Sequence, residues 1–292
     1  MHSHGFTKSR LAAVGAVACL AATVAACSSA SSTSTGNSSN SNASSVSPTK
    51  AVELAAHSAA AVNTFAGTIA LQGTYNESGT SGTINMSGTM SGQRQPLEFS
   101  ANIGTFSAAG ENIGPMDEIL TTKDLYMKVG MLSQALHTSK PWIVMPISEL
   151  SNATGVNLSS LLSETQDSSP LTETQLLAGA SGVKKVGTST IGGVPVTEYS
   201  GSITMDKALA ALPSDVRSGL QQEISSTGIS SAYFNVWLDS QNQAKKEIVS
   251  EKGRTISETI TVTMSSVNQP VTITPPAASQ VTTVPASALS GA

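Results

Sequence analysis

The chain has 292 residues, of which 39% are hydrophobic, 12% charged and 4% aromatic; soluble domains average about 25% charged, so its polar surface is left to Ser, Thr, Asn, Gln and Gly. The formal charge of −4 becomes −6 once Lys8 and Arg10 leave with the leader described below, since 13 basic residues then face 19 acidic ones; counterion-release binding needs a basic face, and no nucleic-acid partner is expected. Cys19 and Cys27 are the only cysteines and both lie close to the N-terminus, which excludes a disulfide framework, a CxxC pair and a cysteine-based zinc site.

Lys8 and Arg10 precede an uncharged run over residues 11–26 that ends in small side chains. A basic n-region followed by an apolar h-region is a secretory signal, and the run is shorter than the roughly 18 apolar residues a spanning helix needs. Val24-Ala25-Ala26-Cys27 resembles the bacterial lipobox, in which cysteine directly follows the cleavage site. Its thiol can carry a diacylglyceryl thioether, so Cys27 is the expected lipid attachment. Cys19 competes less well: it leaves a short h-region and lacks a branched residue three positions before it. Ordinary signal cleavage with an incidental cysteine is the other alternative. Acyl chains contribute about 0.8 kcal/mol per buried methylene, which makes release from a bilayer negligible once two or three are attached.

Residues 28–47 are almost wholly Ser, Thr, Asn, Ala and Gly, without charge or aromatic residues. Such a segment cannot bury enough to order itself and reads as a tether with an r.m.s. reach of roughly 25 Å. The expected organisation is a lipoprotein signal peptide at 1–26, lipidated cysteine and tether at 27–49, one domain at 50–284 and a tail at 285–292.

Within the domain, Val52, Leu54, Ala55, Ala59 and Val62 recur on a helical period and predict a helix over 50–62. Strands are predicted over 64–75 and 82–90, where apolar residues alternate, then over 94–99, 102–108, 125–129 and 142–145. Short strands with glycine turns favour an antiparallel meander. Helix-spaced leucines follow at 147–150, 158–164 and 171–178. Strands over 182–191 and 194–204 are joined through Gly192-Gly193, and short helices over 206–212 and 214–225 are split by Pro213. Strands at 232–239, 245–251 and 255–267 complete the pattern, with 271–274 ending the sheet before Pro275-Pro276. In the last long strand Ile256, Ile260, Val262 and Met264 share one face opposite threonines, the period-2 signature of a sheet apolar on one side. This order predicts an α+β fold with helices gathered against one face of an antiparallel sheet.

Gly193-Val194, Thr197, Tyr199, Gly201, Ile203, Met205 and Lys207, then Val236-Trp237-Leu238-Asp239 with Lys245-Lys246, and the ending over 270–277 together resemble the corresponding stretches of actinobacterial lipoproteins of the LppX/LprG type. The likeness runs from about residue 184 onward and is only architectural before it. Glu198 stands where those proteins carry histidine before the tyrosine, so nothing that depends on that histidine is implied here. The resemblance implies a LolA-like fold: a curved, incomplete antiparallel β-barrel whose concave face is covered by helices over an apolar cavity. The function it implies is binding or moving lipids, lipoglycans or related amphiphiles across the cell envelope. The positions expected to line that cavity are Ile69, Leu71, Leu125, Met127, Val129, Ile260, Val262 and Met264, although the same pattern serves a filled core.

Catalytic constellations are not evident: no HExxH, GxSxG, SxxK, P-loop or GxGxxG occurs, and no catalytic residue, metal or cofactor is expected. His57 and His137 read as surface histidines, and Ser181 lacks the glycine spacing of a nucleophile turn. Asp117-Glu118 reads as a solvated pair in a Gly/Pro-flanked loop, and Trp142 and Trp237 read as core anchors rather than ligand platforms. The expected protein is a monomer on the extracytoplasmic face of the cell membrane. Its expected partners are that membrane, through the lipidated N-terminus, an amphiphilic lipid ligand, and a membrane transporter or other envelope protein. The alternative is an envelope sensor or scaffold that uses the same fold without cargo.

Overall fold

A computed structural model describes residues 46–77, 80–149, 180–210, 217, 221, 224–225 and 227–284. The expected leader, Cys27, most of the tether, the helices at 158–164 and 171–178, most of 214–225 and the tail lie outside the described residues.

The first element is α1 (Pro48–Ala60). The Ser47 hydroxyl accepts from the Lys50 amide at 3.3 Å, and Pro48 occupies the first turn, where its missing N–H has no partner to lose. Ala51, Val52, Ala55 and Ala56 are buried and form the face turned to the sheet. An acidic residue at Val52 would put a charge where about 1.5–3 kcal/mol of apolar burial now lies.

The strands are β1 (Thr64–Glu77), β2 (Thr80–Gln93), β3 (Glu98–Ala108), β4 (Glu111–Asn112), β5 (Met116–Leu120), β6 (Asp124–Val129), β7 (Trp142–Pro146), β8 (Ser181–Ile191), β9 (Val194–Thr204), β10 (Ser231–Leu238), β11 (Ala244–Lys252), β12 (Ile256–Val267) and β13 (Val281–Thr283). Two short helices, α2 (Gly130–Ala135) and α3 (Met205–Ala210), interrupt them. One sheet contains all the described strands, in the order β13-β7-β6-β5-β3-β2-β1-β12-β11-β10-β9-β8 with β4 beside β3. Two antiparallel meanders therefore meet where the last long strand pairs with the first. The sheet remains open, with β13 and β8 at its edges, and is the curved, incomplete barrel that the sequence motifs imply.

The β8–β9 hairpin turns through Gly192 and Gly193 at φ +56° and +81°, the paired positive values that a type I′ turn requires and glycine supplies without strain. Elsewhere the sequence expectation is corrected. Residues 94–97 form a turn rather than a strand, and β3 runs unbroken from Glu98; Pro96 carries no N–H for a ladder. Residues 271–274 do not join the sheet. The closing strand is β13, which pairs parallel to β7 through Val281–Trp142, Thr282–Ile143 and Thr283–Val144.

Candidate functional site

Cross-strand register sorts the side chains of the sheet into rows. One inner-face row runs Phe106, Met86, Leu71, Ile260, Val249, Phe234. Beside it lies Met116, Ile103, Gly88, Ile69, Val262, Glu247, Val236, Tyr199. A third runs Met127, Glu118, Ala101, Met90, Gly67, Met264. Because successive residues of a strand point to opposite faces, these rows form one continuous surface.

All eight positions expected to line a cavity fall on this face. Ile69, Leu71, Leu125, Met127, Val129 and Val262 are buried, and Ile260 and Met264 are partly buried against the same cluster. Among the described residues, however, the apolar surface falls into two clusters. One cluster covers β1–β3, β5–β7 and β12. The other consists of Ala51, Val52 and Ala55 of α1 with Phe234, Val236 and Leu238 of β10, and Val249 packs against it. β11 lies between the two.

On β11, Glu247 faces Val236 on one side and Val262 on the other, both buried, yet Glu247 itself is exposed to solvent. Burial among surrounding protein still pushes its carboxyl above the ordinary value.

A second inner-face carboxyl is more enclosed. Glu118 is 3% exposed, between Ala101 of β3 and Met127 of β6. Burial pushes its pKa from 4.5 to about 7. The expectation of a solvated Asp117-Glu118 loop is therefore corrected, because both residues lie in β5 and point to opposite faces. Asp117 takes the outer face, where Asn102 donates to it and Lys128 Nζ lies 3.1 Å away. The alternation of Met116, Glu118 and Leu120 was available in the sequence but was masked by Gly114-Pro115 and by the second carboxylate. Glu247 was likewise missed, although it alternates with Val249.

Both tryptophans, expected as core anchors, are instead half-buried on the outer face. Lys128 Nζ lies 5.9 Å from the Trp142 ring and Lys246 Nζ 4.9 Å from that of Trp237, within cation–π range. Glu198 is also on the outer face and accepts from Asn235 Nδ2 at 2.8 Å. His57 and His137 are exposed, as expected. Ser181 pairs with Ser202 across β8 and β9.

Among the described residues no group of three or more His, Cys, Asp or Glu is arranged to hold a metal ion, and no helix is long and apolar enough to cross a membrane. Two open recesses occur at the ends and outer side of β1, β2 and β12. The larger, about 510 Å³, is lined by residues such as Thr74, Ser81, Thr83 and Lys252, and the smaller, about 340 Å³, by Gln72, Asn85 and Thr259 among others. Neither includes any of the eight inner-face positions.

An open antiparallel sheet with an apolar inner face and a helix laid against it agrees with the LolA-like fold that the sequence resemblance implies. In particular, the chain is similar to the lipoprotein LppX of Mycobacterium tuberculosis, at 16% identity and a TM-score of 0.46 over 78% of this chain and 98% of that one. It is also similar to LprF of Mycobacterium bovis, at 14% identity and a TM-score of 0.48 over 79% of this chain and 97% of that one. An uncharacterized 31.2 kDa protein of the rplA-rplJ intergenic region of Streptomyces griseus is 23% identical over 142 residues, 48% of this chain and 47% of that protein. The chain thus spans about half the length of that relative. No family model matches.

Proposed function

We propose that this protein is a lipid-anchored envelope protein that binds an amphiphile on the inner face of its sheet and carries it on the outer side of the cytoplasmic membrane, without covalent chemistry. The observation that carries this reading is the divided apolar face. Among the described residues the buried apolar side chains form two clusters that flank β11, on which a water-exposed Glu247 stands between buried valines. Apolar walls with a few polar groups are the usual make-up of a small-molecule site. The lipobox-like Cys27 supplies the anchor, and a reach of roughly 25 Å lets the domain work near the headgroups.

The test is to produce the protein without residues 1–27, extract it with organic solvent and analyse the extract by mass spectrometry. The reading expects an acyl lipid in stoichiometric amount. A lipid-free extract from folded protein, together with an inner face that admits no hydrophobic dye, would instead favour the scaffold alternative.

A further inference from the structure

We propose that β13 is a releasable latch on the β7 edge of the sheet, whose opening admits an amphiphile to the inner face. The inference rests on the binding role proposed above and supplies its route of entry. The two edges of the sheet are closed differently. At the β8 edge, Ala180 and Val183 pack with Ala51, Val52 and Ala55 of α1. At the β7 edge the cover among the described residues is β13, three residues long and parallel to its neighbour, a pairing slightly weaker per residue than an antiparallel one. The next residue, Val284, is 4% exposed and belongs to the same inner-face cluster as Ile143 and Met145 of β7. Its amide donates to the Val144 carbonyl at 3.1 Å. Release of β13 therefore withdraws Val284 from the cluster and bares the inner face beside Ile143.

The connection to β13 lets it leave without disturbing β12. Its near end is fixed: Asn268 donates its amide to the Thr64 carbonyl and accepts the Asn63 amide on Oδ1, both at 2.7 Å. Beyond it, residues 270–277 join no helix or strand, and the prolines at 270, 275 and 276 have no N–H for a ladder. From Val267 to Val281 the chain can extend to about 46 Å, against roughly 34 Å for the strand spacings between β12 and β13, so β13 has slack to lift off while Asn268 stays in place. Two side-chain contacts secure the closed latch. The Lys140 ammonium donates to the Val281 carbonyl at 2.8 Å, and the Thr138 and Thr282 hydroxyls lie 2.7 Å apart. Segments with so few buried contacts open locally, well below the free energy of global unfolding.

The experiment exploits the cysteines, which occur only at positions 19 and 27, so the protein made without residues 1–27 carries none. Thr138→Cys with Thr282→Cys places two thiols where the hydroxyls now meet, close enough for a disulfide. Uptake and release of the neutral dye N-phenyl-1-naphthylamine are followed by stopped flow before and after reduction. The oxidised protein is expected to exchange dye at least about tenfold more slowly than the same protein reduced, with the equilibrium affinity unchanged, because a latch alters both rates alike. Equal rates in the two states overturn the latch. If the thiols do not join, Lys140→Met serves instead: loss of its bond to Val281 is expected to speed exchange about threefold or more, and an unchanged rate overturns the latch. A folded wild type that takes up no dye overturns the binding role, and hydrogen exchange then judges the latch separately. The Val284 amide is expected to exchange at least about tenfold faster than the amides of β1, which is paired on both sides, and equal protection overturns the latch.

Discussion

Phe234 of β10 lies across Gly201 of β9: a methyl group on Gly201 would stand 2.6 Å from the Cζ of the ring. The same relation recurs between Phe65 and Gly92, at 2.5 Å. Each missing side chain lets an aromatic ring lie against the neighbouring strand. Gly201→Ala is therefore expected to lose about 1–3 kcal/mol to overpacking, despite the roughly 0.5–1 kcal/mol that alanine gains in backbone entropy. Urea denaturation checks this, and an unchanged or higher midpoint would show that the ring moves aside freely.

Glu118 also predicts a pH dependence. Its folded pKa of about 7 lies above the ordinary 4.5, so between those values the unfolded chain has released a proton that the folded chain retains. Stability should then fall as pH rises from about 4.5 through 7 and level off beyond, by roughly 3 kcal/mol in all. Subtracting Glu118→Gln unfolding free energies from those of wild type at pH 5 and pH 8 isolates this contribution. A difference that does not change with pH would place the carboxyl in contact with water.

Asp239 predicts the opposite sign. Burial alone would raise its pKa, but donation from the Gln243 and Gln241 amides and the nearby Lys245 outweigh it and hold the carboxyl below its ordinary value. The amides lie 2.9 and 2.8 Å from Oδ1, and the Lys245 ammonium is 3.2 Å from Oδ2. Asp239→Ala should cost about 1.5–3 kcal/mol at neutral pH. The cost should shrink as pH falls through the folded pKa, where wild type also loses the charge; denaturation at pH 7 and pH 3 compares the two.

Cys27→Ser removes the thiol that the lipobox reading makes the anchor. The variant is expected to pass from the membrane fraction into the soluble extracytoplasmic fraction, without thioether-linked acyl chains on its N-terminus. Fractionation followed by blotting measures this. Retention in the membrane fraction at the wild-type level would mean that another segment holds the protein there.

What the sequence revealed depended on how local the determinant was. Ile260, Val262 and Met264 announce a shared face by alternation within β12, and Gly192-Gly193 announces its hairpin, because strand period and turn chemistry are set by neighbours in the chain. The edge strand Val281–Thr283 is three residues long and finds β7 from 139 positions away, as the pairing of Val281 with Trp142 shows, and no local pattern marks it. As strand residues Trp142 and Trp237 read as core anchors; alternation within their strands puts them on the outer face beside Lys128 and Lys246 of adjacent strands, which only the register shows. Glu118 was obscured by its neighbours Asp117 and Pro115, which resemble a loop although the residues around it alternate as a strand.

The account turns on whether cargo occupies the inner face, and Val262 tests it most directly. It is 7% exposed and stands between Ile69 and Glu247, on the strand next to β11, which separates the two clusters. Native mass spectrometry of the leaderless protein should show a lipid-bound species, and Val262→Trp, by filling the space, should reduce it at least tenfold while circular dichroism remains that of the folded sheet. A folded Val262→Trp protein that carries lipid as well as wild type would contradict the claim.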